Sequence, residues 1–146
     1  MPDAIDDALR ELVLHETAPL VAQQRAAVTC LDGAAMTVSV RPLATPGCPF
    51  TVTAQSDSEI SFFLGPPDEP ETVTVDVYRR ERQELLGEVR SYVRAILEGH
   101  VGVQKRRGRT AGRVHFSLPE GERLHRYNVL FGLRLRRAPI QRFAAY

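Results

Sequence analysis

"TVTVDVYRRERQELLGEVRSYVRAILEG", residues 72–99, contains the change of period on which the fold depends. Val73, Val75 and Val77 alternate with Thr72, Thr74 and Asp76, the two-residue repeat of a strand with one buried face. Beyond Tyr78 the repeat lengthens. Leu85, Val89, Tyr92, Val93, Ile96 and Leu97 recur at helical spacing, and Leu86 widens the stripe, so residues 79–98 are predicted as one amphipathic helix packed on a sheet. Gly99 stands where helices commonly end on a left-handed residue. Gly87, near the middle, costs about 1 kcal/mol relative to alanine and reads as a close contact or a tolerated cost. The outward face carries Arg79, Arg80, Arg82, Glu84, Ser91 and Arg94. Arg90 and Arg94 are four apart and of like charge, which is mildly unfavourable in an isolated helix. An anionic partner would relieve them.

Upstream, the loop "GPPDEPE" at 65–71 is excluded from any central strand, because its three prolines remove three backbone donors. Before it, "EISFFLG" and the run in which Phe50, Val52 and Ala54 alternate with Thr51, Thr53 and Gln55 form a strand pair across the turn "SDS". Val28 and Cys30 alternate with Thr29 and Leu31 ahead of "DGA" at 32–34. Met36, Val38 and Val40 then alternate with Thr37, Ser39 and Arg41, which predicts a β-hairpin. The N-terminal stretch places Ile5, Ala8, Leu9, Leu12 and Val13 at helical spacing with Asp3, Asp6 and Asp7 in the first turn, where the helix dipole favours carboxylates. Pro19 is expected to break this helix near 17–19, with Thr17 capping a second short piece.

Downstream, "VGVQKRRGRTAGRVHF" (101–116) reads as a hairpin whose apolar pattern stops at Val103 and resumes at Val114. In "RYNVLFGLRLRR" (126–137), Val129, Phe131, Leu133 and Leu135 share one face of a further strand. The tail ends on Phe143 and Tyr146, aromatics expected to fold back on the core. Sequential strands with short turns and no βαβ alternation point to one α+β domain over 1–146. It has an antiparallel sheet of about 6–8 strands, with an N-terminal helix and the 79–98 helix packed on it in two layers. Leu31, Phe63 and Leu130 fall opposite the core faces, which fits a sheet covered on both sides or a dimer contact.

Charge separates along the chain. Residues 1–76 hold three arginines against twelve acids, a net of −9; residues 77–146 hold sixteen basic residues against six acids, a net of +10. Eighteen of the nineteen cations are arginine, which a GC-rich genome supplies without selection on chemistry. The densest cluster is Lys105, Arg106, Arg107, Arg109 and Arg113. With Arg90, Arg94, Arg134 and Arg136 it makes up the candidate surface for a polyanion or a protein partner. Single-stranded nucleic acid would also want exposed aromatics, and Phe116 points to the core instead.

Catalytic and cofactor motifs are sparse. His15, His100, His115 and His125 show no metal-ligand spacing, and GxSxG, GxxxxGK[ST] and GxGxxG are absent, so no cofactor or metal is expected. Asp57 and Glu59 read as a solvated turn. A small ribonuclease could be assembled from His100 or His115, Glu98 and nearby arginines. Cys30 and Cys48 suit reduced thiols, no apolar run approaches the roughly 20 residues of a bilayer span, and the N-terminus is acidic. The expected location is therefore the cytoplasm, with no membrane partner. The leading expectation is a small soluble non-enzymatic protein-interaction module, binding another protein or itself as a homodimer. The alternative is a nucleic-acid-binding module using the 105–113 tip. The layout is shared in outline with small secretion chaperones and immunity-type binding proteins, an analogy of shape that carries no chemistry.

Overall fold

The computed structural model describes residues 4–33, 35–65, 73–105, 112–127 and 140–146. The fold is α+β. Helix α1 (Ala4–Ala22) leads into five strands: β1 (Ala26–Leu31), β2 (Thr37–Pro42), β3 (Phe50–Ser56), β4 (Glu59–Leu64) and β5 (Val73–Tyr78). Helix α2 (Arg82–Leu97) follows, then β6 (Val101–Lys105), β7 (Gly112–Leu118), β8 (Gly121–Tyr127) and the short β9 (Gln141–Arg142). The strands divide into two antiparallel sheets, ordered β1-β2-β3-β4-β5 and β8-β7-β6-β9. α2 packs on β4 and β5 of the first sheet and on β7 of the second, while α1 packs on α2, β1 and β3.

The first sheet is a meander in which every core residue faces another. Cross-strand pairing aligns Val38, Val52, Phe62 and Val75 in one row and Val40, Phe50, Leu64 and Val73 in the next. All eight are buried. The other face is largely hydroxyl-bearing: Ser39 bonds Thr51 at 2.9 Å and Ser61 donates to Asp76 at 2.6 Å. β1 leaves the core along its length, from buried Ala26 to exposed Cys30 and Leu31, because it is the sheet edge.

α2 begins at Arg82 instead of residue 79. The Arg79 N–H donates to the Ser58 carbonyl at 3.0 Å, which keeps Arg79 on the sheet. At the other end, Gly99 N–H bonds the Ile96 carbonyl (3.2 Å) and His100 N–H bonds the Ala95 carbonyl (2.7 Å), with Gly99 at φ +77°. This is a Schellman closure. It requires glycine twice over, since a Cβ there would lie 2.6 Å from the backbone nitrogen of Ala145. Gly87 makes no close contact: nothing lies within 4 Å of where its Cβ would stand.

One sequence expectation is corrected and another falls outside the described residues. α1 runs unbroken through Pro19. The proline sits in the last turn, where its missing N–H removes one ladder bond, and Ile5, Leu9, Leu12 and Val13 hold the helix to the core. Thr17 is a buried helix residue donating to the Val13 carbonyl at 2.7 Å, and no cap. The third strand of the second sheet is Gly121–Tyr127, ahead of the predicted 126–137 segment, whose residues from 128 on lie outside the described ones.

Tyr146 closes the core. Its ring is buried against Gly47, its hydroxyl donates to the Cys48 carbonyl, and its N–H bonds the Leu97 carbonyl at 2.9 Å. A parallel bridge between Gly47 and Ala144 joins the tail to the β2–β3 loop.

Candidate functional site

Of the predicted basic surface, Arg90, Arg94, Lys105 and Arg113 lie among the described residues. Arg94 grips Glu16 of α1 with two bonds, Nε to Oε2 at 2.8 Å and Nη2 to Oε1 at 3.1 Å, and Arg90 Nε stands 3.3 Å from Oε1. The anionic partner required by the two like charges is thus inside the molecule. Glu16 is only 9% exposed, so its charge is spent on this pair, and Arg94 holds its proton more firmly for it. Arg82 reaches Asp57 at 3.1 Å. Both contacts join the acidic first half to the basic second half. Lys105 ends β6, and Arg113 lies half-buried on β7 opposite Gln104. Arg106, Arg107, Arg109, Arg134 and Arg136 lie outside the described residues.

At the C-terminal end of α2 a cleft of about 450 Å³ opens between the helix and the β7–β8 turn. The Schellman turn swings His100 into its mouth, and Ser117 N–H fastens to the His100 carbonyl at 2.9 Å, which sets the two walls against each other. Ala95, Leu118 and Pro119 contribute apolar lining; Arg94, Glu98, His100, Ser117 and Glu120 contribute polar groups. A smaller pocket of about 40 Å³ shares His100 and Ser117 and adds His115, Glu122 and Arg142. The β7–β8 register explains this grouping, since Ser117 pairs with Glu122 and both face away from buried Phe116. His115 Nε2 is buried there with no hydrogen-bond partner among the described residues.

The residues named for a ribonuclease therefore do meet on one face. Their electrostatics oppose that chemistry. Glu98 and Glu120 line the cleft with His100, Arg94 is bonded to Glu16, and Arg142 in the smaller pocket is matched by Glu122, so a phosphodiester would meet more carboxylate than free cation among the described residues. His100 Nδ1 lies 3.6 Å from Glu98 Oε2, and the two side chains are 54% and 62% exposed. That is a loose, wet pair, far from a positioned general base.

A second polar constellation escaped the sequence reading. Tyr92, with Tyr146 the largest fully buried side chain among the described residues, stacks on Phe116 with centroids 4.5 Å apart and meets Phe62 edge-on at 6.0 Å. Its hydroxyl bonds Glu88 Oε1 at 3.0 Å and His125 Nε2 at 2.8 Å, and Glu88 Oε2 is held by Arg79 at 2.5 Å. An ionised Glu88 only accepts, so Tyr92 donates to it and His125 Nε2–H donates to Tyr92. The chain Arg79–Glu88–Tyr92–His125 thereby ties α2 to β8. Burial pushes Tyr92 up, reinforced by Glu88, and pushes His125 down against the pull of Glu88. Both stay neutral near pH 7, which suits a fastening more than a proton donor. The i, i+4 spacing of Glu88 and Tyr92 was the available signal; no local pattern pointed to His125.

Cys48 is likewise silent, its thiol pushed up to about 12 by burial. Among the described residues no group of three or more His, Cys, Asp or Glu is placed to hold a metal ion, and no helix is long and apolar enough to cross a membrane. No family model, curated protein or solved structure matches the chain.

Proposed function

We propose that the chain is a small protein-interaction module that receives a segment of a partner in the cleft at the end of α2, in the cytoplasm as its two unpaired thiols suggest. The observation that carries this reading is the lining. Apolar Ala95, Leu118 and Pro119 lining one cleft with exposed Glu98, His100 and Glu120 are what an apolar side chain with a polar neighbour needs. The volume falls within the range of roughly 300–1,000 Å³ typical of ligand sites. The test is selection from a random peptide display library, with Ser117→Arg as a blocked control because Ser117 is exposed and lines the cleft. Selected peptides should bind the blocked variant at least about tenfold more weakly, the loss expected when central contacts are denied. No enrichment, or equal binding to the blocked variant, removes the reading.

The second reading is nucleic-acid binding by the 105–113 stretch. The β6–β7 register supports it by pairing Lys105 with Gly112 and Gln104 with Arg113, so both ends of the basic run sit on one hairpin. Binding should then fall linearly in log–log terms with salt and vanish on charge reversal at Arg106, Arg107 and Arg109.

A further inference from the structure

We infer that the occupant of this cleft is a basic segment of a different protein, an arginine or lysine flanked by an apolar residue; the inference rests on the docking reading above. Three observations converge. Carboxylates stand on both lips, Glu98 on the α2 wall and Glu120 on the β7–β8 turn. Among the lining residues two carboxylates outnumber one guanidinium, and the charge of Arg94 is divided between Glu98 and the nearly buried Glu16 that it grips through two nitrogens. Finally, the cleft lies at the C-terminal end of a 16-residue helix, where the dipole adds negative potential and favours a cation.

Shape agrees with charge. The methylene stem of an arginine or lysine would lie on Leu118, Pro119 and Ala95 while its head reached the carboxylates at the rim. A guanidinium suits this rim better than an ammonium, since its planar fork meets a carboxylate with two parallel bonds. The neighbouring apolar residue would complete the apolar lining.

The experiment uses the full chain and fluorescein-labelled peptides taken from the display selection, with the basic residue replaced in turn by Lys, Gln and Glu. Affinity should follow Arg, Lys, Gln, Glu in falling order. Glu98→Gln/Glu120→Gln should weaken the Arg peptide about fivefold to tenfold, as two rim ion pairs are lost, and the Gln peptide less than about twofold. Peptides that are blocked by Ser117→Arg yet are neutral or acidic, and bind the double variant unchanged, would overturn the basic occupant while leaving the docking reading intact. Absence of any cleft-dependent peptide would remove both. Self-association abolished by the double variant would assign the cleft to a second copy and overturn the different-protein partner. An oligonucleotide that displaces the Arg peptide, with equal affinity for both forms of the chain, would also overturn it.

Discussion

Arg90 and Arg94 illustrate how a single, nearly buried acid changes the meaning of two surface cations. Seen along α2 they are a repelling pair inviting an external anion; Glu16, 78 positions before Arg94, supplies it from α1. Each arginine is about half exposed, so each bond is individually modest, but one carboxylate answers both. Glu16→Ala should therefore cost about 1–2 kcal/mol in urea unfolding, more than Arg90→Ala or Arg94→Ala alone. Equal losses for the three variants would show that Glu16 is not shared. Gly87 makes the opposite case. Space is open at its Cβ position and its backbone is ordinary helix, so Gly87→Ala should stabilise by about 1 kcal/mol in the same assay. The i, i+4 spacing disclosed the repulsion and not its answer, because a contact across 78 residues leaves no periodic trace.

Among the elements, α2 and the meander were legible, since each repeats its apolar period over several turns or strands. β8 was not. Its run "GERLHRY" offers no buried hydrophobic alternation; it is recruited by pairing along β7 from Gly121↔Leu118 to Tyr127↔Gly112 and by His125 reaching Tyr92. Pro19 misled because a breaker in a last turn costs one bond and no more. The union of β8 with α2 carries a pH signature. Burial holds His125 below its ordinary 6.5, with Glu88 opposing and Arg79 and Arg123 assisting, so the unfolded chain takes up the proton first as pH falls. The stability owed to neutral His125 is complete above about 6.5 and is lost as pH drops through that value toward the folded one. In chemical denaturation, His125→Gln should flatten the fall in stability as pH drops below about 6.5. Parallel slopes for parent and variant would refute the assignment.

Among the described residues, charges of the −9 and +10 halves are in part paired with one another. Glu16 and Asp57 carry first-half charge to second-half arginines, while Glu98 and Glu120 are second-half acids that meet at the cleft, with Glu122 in the smaller pocket beside it. The charge asymmetry was visible in the sequence; the small acidic site inside the basic half was not, because the register of β7 and β8 and the turn after α2 create it. Tyr146 ties the β2–β3 loop and α2 into the core, and sequence already suggested that the tail folds back. Tyr146→Ala should cost about 3–5 kcal/mol, the range for a large buried aromatic, and lower the thermal midpoint accordingly. A loss under about 1 kcal/mol would mean that the tail is not part of the cooperative unit.

That same docking makes the chain carry its own clock. Cys30 stands in solvent at the sheet edge, whereas Cys48 is sealed by burial beneath the Tyr146 hydroxyl. A thiol reagent applied to the native protein would consume one cysteine at once and the other only as often as the tail lifts. The ratio of the two rates therefore counts undocking events directly, without any label being introduced.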